Sequence, residues 1–385
     1  MRKETIAIRG QIDRSQYNEH AVPLYLSSSY VFEDAEDMRA QFAEEKPGEI
    51  YSRYANPNVQ ELLNKVSILE GGEAAWATAS GMAAVFTTFA TFLSSGDEIV
   101  SSRSVFGSTH RLLVDVFPKW GIKNTYVDFN DYEAYENAIS DSTKLVYIET
   151  PSNPALDLID IERLAVICKK KGTLLVVDNC FATPILQQPI RMGADIVIHS
   201  TTKFMDGQGR TLGGLIVASN EIIEKVKAFA RHSGPAMSPF NAWVISKSIE
   251  TLDVRMERHC KNALEIAKRL SDLSNITWVK YPFLSSHPDF EIAQRQMSAG
   301  GGLVSFELSG GLEAGRDFLN KLNLFSLTAN LGDTRSIATH PASTTHSKLT
   351  PEQRLDVGIS DGLIRLSIGL EHFEDIWEDV FQALN

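Results

Sequence analysis

Two side chains stand where apolar segments end. Asp178 directly follows Leu174-Leu175-Val176-Val177, and Lys203 follows Ile196-Val197-Ile198-His199 after Ser200-Thr201-Thr202. A carboxylate that closes an apolar strand loses solvation and calls for a cationic partner. A lysine beside a buried strand has its ammonium form disfavoured, which makes it a candidate Schiff-base former. Each has a plainer reading: a helix cap or structural ion pair for Asp178, a surface-loop lysine for Lys203. A third feature is Ser80-Gly81-Met82 ahead of the apolar run Ala83–Leu93. Small residues at a helix start leave backbone N–H groups open, and the helix dipole favours a phosphate there. An isolated Ser-Gly pair is more often an ordinary N-cap. Ser200 and Thr202 add hydroxyl donors. A phosphate site, a partner for a pyridine nitrogen and a Schiff-base lysine together describe one cofactor, pyridoxal 5′-phosphate.

Other chemistries fit less well. Gly207-Gln208-Gly209-Arg210-Thr211-Leu212 puts Leu where a dinucleotide fingerprint needs its third Gly, and it follows the lysine loop instead of linking a strand to a helix. His340 and His346 have no carboxylate or Cys at ligand spacing, so both read as structural and no metal is expected. The three cysteines, Cys168, Cys180 and Cys260, match no CxxC spacing and read as free thiols of a reducing compartment.

The elements that must position these groups are legible as alternation. Glu98–Ser101, Lys144–Glu149, Leu174–Asp178, Ile196–His199 and Leu215–Ala218 are short apolar runs bounded by turn residues, which suits strands buried on both faces. Ile161–Lys171 places Ile161, Leu164, Ala165 and Cys168 on one helix face and ends in three lysines and Gly172. Strands alternating with helices predict an α/β fold with a mostly parallel sheet. Ligands of such sheets bind beyond the carboxyl ends of the strands, where Asp178 and Lys203 fall. Residues 1–50 are polar and irregular, with a short helix near Ala35–Glu45. After Ser238-Pro239 the pattern predicts one long helix over Asn241–Leu273, strand-like pieces at Gly300–Leu308 and a last helix, Phe373–Leu384, together a smaller α+β domain. The expected division is therefore an arm (1–50), the α/β domain (51–240) and the α+β domain (241–385).

Composition narrows the functional class. The 385 residues are 43% hydrophobic and 22% charged, as in globular proteins. A net charge of −12 argues against general nucleic-acid or anionic-membrane binding. The polar N-terminus does not read as a secretory signal, and no apolar run approaches a membrane span. A cytoplasmic, soluble enzyme is the expectation.

The segments around these residues resemble one family. Asp195-Ile-Val-Ile-His-Ser-Thr-Thr-Lys203-Phe-Met-Asp-Gly-Gln-Gly209 is similar to the lysine signature of the Cys/Met-metabolism PLP enzymes, the cystathionine γ-synthase-like group of fold type I. So are Tyr51-Ser-Arg53-Tyr-Ala-Asn-Pro57, Ala79-Ser-Gly-Met-Ala83, Glu149-Thr-Pro-Ser-Asn-Pro154, Val177-Asp-Asn179, Gly234-Pro-Ala-Met-Ser-Pro239, Thr339-His-Pro-Ala342 and Ile364-Arg-Leu-Ser367, in the family's order. The resemblance implies an aspartate-aminotransferase-like fold. It implies that Lys203 bonds to the cofactor's aldehyde, Asp178 pairs with its pyridine nitrogen, and Gly81, Met82, Ser200 and Thr202 hold its phosphate. Tyr51 and Arg53 would reach the phosphate of a neighbouring subunit, making the active unit a dimer and the usual assembly a tetramer. Arg365 would clamp the substrate α-carboxylate, with Asn153 and Asn330 beside it.

Three departures matter. Phe106 stands where many members carry Tyr: it keeps the ring over the cofactor and loses the phenol. Ser108 stands where γ-lyases place Cys, and Asn330 where many relatives place Ser. With Ser238-Pro-Phe-Asn-Ala-Trp243, these segments most resemble the branch that carries out γ-replacement on O-succinylhomoserine (or O-acetylhomoserine) with sulfide, giving homocysteine for methionine biosynthesis. Cysteine as the nucleophile, as in cystathionine γ-synthase, is the alternative. A cystathionine β-lyase or methionine γ-lyase is the weaker one.

Overall fold

A computed structural model describes the whole chain except His346, Lys348, Leu349 and Val357. Two sheets organise it. The first contains β1 (Ala74–Thr78), β2 (Glu98–Ser102), β3 (Lys123–Val127), β4 (Thr143–Glu149), β5 (Leu174–Asp178), β6 (Ile196–Ser200) and β7 (Gly214–Ala218) in the order β1-β7-β6-β5-β4-β2-β3. The contiguous strands β6, β5, β4, β2 and β3 run parallel; β7 is antiparallel to both its neighbours.

Burial explains why these strands read as unbroken apolar runs. Val146, Ile148, Leu175, Val177, Val197 and Leu215 face one hydrophobic cluster, while Leu145, Tyr147, Val176, Ile196, Ile198 and Ile216 face another on the opposite side. Each layer of helices buries alternate residues, so both phases of these inner strands must be apolar. Helix Ile161–Lys171 forms as expected: Asp160 caps it by accepting from Arg163 N, and Gly172 closes it at φ 71°.

The second sheet holds β8 (Ile276–Lys280), β9 (Leu303–Leu308), β10 (Ser326–Leu327), β11 (Ile337–Thr339) and β12 (Leu363–Ser367), in the order β10-β11-β12-β9-β8. Its apolar face packs on helices Leu252–Ser271, Gly311–Lys321 and Phe373–Leu384, through Ile266, Leu270, Phe306, Phe318, Ile364, Ile376 and Val380.

Three expectations change. The single helix over Asn241–Leu273 is two, Pro239–Ile249 and Leu252–Ser271. At the break the Ser248 carbonyl accepts from the Thr251 hydroxyl and the Arg255 guanidinium, and the Ser248 hydroxyl donates to Val244 O. Side chains that compete for backbone carbonyls weaken the helical ladder at that turn. The arm carries a helix that its polarity hid, Lys3–Arg9, whose Ala7 is buried. The expected short helix is Ala35–Phe42, capped by Asp34, and it has no buried residue. Among the described residues no helix is long and apolar enough to cross a membrane.

Candidate active site

The carboxyl ends of β4, β5 and β6 lie side by side, because Glu149 pairs in register with Asp178, and Asp178 with Ile198. Asp178 therefore opens onto the same rim as the residues after β6. Its Oδ1 accepts from Cys180 N at 2.9 Å, and its Oδ2 lies 3.5 Å from the Tyr147 hydroxyl. Among the described residues no cation forms an ion pair with it. Burial pushes its carboxyl above the usual range, and the Cys180 N–H and the charges of His199 and Lys203 work against that rise. Among the described residues the cationic partner that the sequence calls for is thus missing, which suits a protonated pyridine nitrogen.

Lys203 follows β6 in a tight turn, with Asp206 N bonded to Thr201 O and Gly207 N to Lys203 O. Its Nζ donates to Asn330 Oδ1 at 2.6 Å. Burial lowers its pKa from the ordinary 10.5, and the nearby Arg365 charge adds to the fall. Gly332, at φ 74°, lets the Asn330 segment approach this lysine: a Cβ there would lie 3.2 Å from Lys203 Cα and 2.7 Å from Phe204 N. Gly332 N is in turn bonded to Ser367 Oγ on β12.

Arg365 on β12 is buried. Its Nη1 donates to Asn153 Oδ1 at 2.8 Å; its Nη2 donates to Asn330 O and Thr339 Oγ1, both at 3.3 Å. Its Nε has no partner, and among the described residues no acid pairs with it. Desolvation pulls the guanidinium down to about 10, still charged at neutral pH. A buried cation with an idle donor beside a reactive amine fits an incoming carboxylate.

The phosphate end is also formed. Ser80 caps helix Gly81–Phe92 by accepting from Ala83 N. A Cβ on Gly81 would stand 2.6 Å from Ser200 Cβ, so only glycine leaves room where this helix start meets the end of β6. Thr202 Oγ1 accepts from Gly213 N, and Met82 Sδ lies 3.8 Å from Thr109 Oγ1. Phe106 begins helix Gly107–Arg111 and is 46% exposed. The donor set, the glycine cradle and the unpaired Asp178 and Arg365 fit pyridoxal 5′-phosphate carrying an amino-acid substrate.

Tyr51 is 42% exposed, and Arg53 donates to Arg231 O and stacks on Tyr54. His340 is held at both ring nitrogens, by Ser343 Oγ and Asp361 O. His346 lies outside the described residues. The three thiols are free, and burial raises the pKa of each. Among the described residues no cluster of three His, Cys, Asp or Glu side chains is placed to hold a metal ion.

The sequence reading passed over Glu149, Tyr147 and Thr339. Thr339 Oγ1 is a partner of Arg365, and the Tyr147 hydroxyl stands between the Glu149 and Asp178 carboxyls. The signal for Glu149 was the one that singled out Asp178, an acid closing an apolar strand.

Comparison with known proteins agrees with this geometry. The family model for Cys/Met metabolism PLP-dependent enzymes matches residues 4–385. An O-succinylhomoserine sulfhydrylase of Pseudomonas aeruginosa is 46% identical over 99% of this chain and 94% of its own length. An L-methionine gamma-lyase of Fusobacterium nucleatum subsp. polymorphum is 42% identical over 99% and 97%. Among solved structures, metB of Corynebacterium glutamicum superposes with a TM-score of 0.94 at 37% identity, covering 100% of this chain and 98% of its own. A chain from Campylobacter jejuni subsp. jejuni, provisionally designated an O-acetylhomoserine (thiol)-lyase and bearing a pyridoxyl-lysine monophosphate, reaches 0.95 at 33% identity, with all of both chains covered. With matches that run from end to end, the chain belongs to the Cys/Met metabolism PLP-dependent enzymes, and its cofactor is pyridoxal 5′-phosphate.

Proposed function

We propose that the protein replaces the acyloxy group at Cγ of O-succinylhomoserine, or of O-acetylhomoserine, with sulfide, forming homocysteine and the free carboxylic acid. The observation that carries this reading is the unbroken hydrogen-bonded path Lys203–Asn330–Arg365–Asn153. It places a desolvated amine beside a guanidinium that lacks an acid, as an amino-acid substrate requires. The sulfhydrylases among its relatives support the choice of acyl donor and nucleophile.

When bound, the cofactor supplies an electron sink for a carbanion at the substrate Cα. The chain supplies the rest. Arg365 fixes the α-carboxylate, with Asn153 holding its outer nitrogen. Asp178 keeps a positive charge at the pyridine nitrogen. Gly81, Met82, Ser200 and Thr202 hold the phosphate. Burial lowers the pKa of Lys203 Nζ, which favours its role as a base: it takes the proton from Cα and moves protons at Cβ. Asn330 Oδ1 aims that nitrogen. Phe106 covers the ring without offering a proton, which a departing carboxylate does not need. Ser108 likewise offers no thiol beside it.

Tyr51 and Arg53 are read as donors to the phosphate of a second subunit; the 42% exposure of Tyr51 supports this. This makes a dimer the smallest active form and a tetramer of two such dimers the assembly. The division into an arm (1–50), a cofactor domain (51–240) and a C-terminal domain (241–385) belongs to the same reading, supported by the two separate sheets. So does a cytoplasmic setting, supported by three unpaired thiols.

The test offers purified holoenzyme sulfide and cysteine together, with O-succinylhomoserine and O-acetylhomoserine in turn. Homocysteine as the main product supports the reading. Cystathionine as the main product would make it a cystathionine γ-synthase, and 2-oxobutyrate from methionine without any acyl donor would make it a γ-lyase.

A further inference from the structure

Glu149 has no place in the chemistry above, yet it is one of the most constrained acids in the molecule. It closes β4 in register with Asp178 on β5 and is 7% exposed. Its Oε1 accepts from the backbone N–H of Phe106 at 2.8 Å and from the Tyr147 hydroxyl at 3.0 Å. The same hydroxyl lies 3.5 Å from Asp178 Oδ2. Among the described residues no cation pairs with Glu149, so the usual reason for burying a carboxyl is absent.

What Glu149 does hold is the residue over the cofactor. Phe106 opens helix Gly107–Arg111 at φ −53° and ψ 138°, with no side-chain cap. Its carbonyl accepts from His110 N, inside the helix it begins. Its N–H therefore ties the start of this short helix to β4, with Glu149 as the acceptor, while His110 Nδ1 and the Tyr126 hydroxyl tie its end to β3. A ring that must stay parallel to a cofactor loses its benefit if its backbone drifts, and a buried, unpaired N–H costs more than the bond contributes.

We propose that Glu149 is a positioning residue: it docks the Phe106 backbone against β4 and, through Tyr147, sets the ring over the cofactor in register with Asp178. This rests on the reading that Phe106 covers the cofactor ring. One carboxyl of the pair must give up its charge, since like charges in register repel across a buried strand pair. Burial and the Asp178 charge push Glu149 up to about 8, and burial raises Asp178 as well, so the two carboxyls hold one proton between them. A neutral carboxyl still accepts from Phe106 N–H, and so does an amide oxygen.

The experiment measures the dissociation constant of pyridoxal 5′-phosphate by titrating apoenzyme, together with the absorbance and near-ultraviolet dichroism of the bound form. The variants are Glu149→Gln, Glu149→Asp, Phe106→Ala and Phe106→Ala combined with Glu149→Asp. Apoenzyme melting temperature serves as the folding control. Glu149→Gln should stay within threefold of the parent and keep its dichroism. Glu149→Asp retains the carboxyl but draws it back by one methylene; it should weaken binding tenfold or more and shrink the dichroic band. In the double variant the two losses should not multiply, because both remove the same ring contact. Equal behaviour of Gln and Asp variants, or losses that multiply, would overturn the proposal while leaving Phe106 as the ring cover. An unchanged constant in Phe106→Ala would overturn that earlier reading and the proposal with it. Should Glu149→Asp prove too unstable to titrate, Glu149→Gln decides alone: more than a tenfold loss overturns the proposal, and a parent-like constant with parent-like dichroism supports it.

Discussion

Arg365 shows how much one residue can carry. Its guanidinium is buried, its Nε idle and its counter-ion absent among the described residues. A lysine in its place keeps the charge but loses the planar fork and the bonds to Asn153 and Thr339. Arg365→Lys should raise the KM for the acylated homoserine roughly 10- to 100-fold, the range for a lost charged hydrogen bond, while the cofactor dissociation constant stays near the parent's. Steady-state kinetics beside a cofactor titration checks the split. Glu149 gives a pH test at the same scale. Its folded pKa of about 8 stands above the usual 4.5, so the native chain holds a proton that the unfolded chain releases between those values. Stability from this group is complete below pH 4.5 and is lost as pH rises through 8. The melting temperature of apoenzyme, relative to Glu149→Gln, should therefore fall between pH 5 and pH 8.5. Sequence reading reaches Asp178 and Lys203 because strand ends are visible in one dimension. It misses the Tyr147 hydroxyl, since Tyr147 reads as one more apolar strand residue until β4 and β5 are paired.

At the scale of elements, legibility follows burial. Strands β4 to β7 and helix Ile161–Lys171 read directly because both faces, or one clear stripe, are apolar. Strand β3, Lys-Asn-Thr-Tyr-Val, lies at the sheet edge and is largely polar, as edges are, so it carries no run to find. Strand β1 is the other edge and is rich in alanine, a weak strand former. Two glycines separate structural from functional constraint. Gly172 ends its helix at φ 71° with nothing near a would-be Cβ, so Gly172→Ala should cost about 1 kcal/mol through backbone strain alone and leave cofactor binding intact. Gly81→Ala would drive a Cβ to 2.6 Å from Ser200 Cβ. It should weaken cofactor binding tenfold or more with a smaller effect on apoenzyme melting. Parallel titration and thermal denaturation of the two variants makes the comparison.

The whole molecule leaves one surface without a role in the single chain. Helix Ala35–Phe42 buries nothing, and Val31, Met38 and Phe42 are exposed along the arm, as is Tyr51 just after it. The arm's composition, polar and irregular, gave no hint of this apolar face, because its apolar residues are scattered in sequence. The shared active site proposed above would cover these exposed residues with a second subunit. Unfolding and refolding an equal mixture of Arg53→Ala and Lys203→Ala chains should then restore activity that neither has alone. Random pairing would give roughly a quarter of the parent's activity, since half of the dimers carry one intact site. Activity no higher than the sum of the separate variants would place each site within one chain.

The most direct measurement concerns Lys203 itself. Holoenzyme is reduced with borohydride, digested and mapped by mass spectrometry. The expected result is a single pyridoxyl phosphate adduct on the peptide containing Ser200-Thr201-Thr202-Lys203-Phe204. An adduct on another lysine, or none on this peptide in fully active enzyme, would contradict the assignment on which the site has been built.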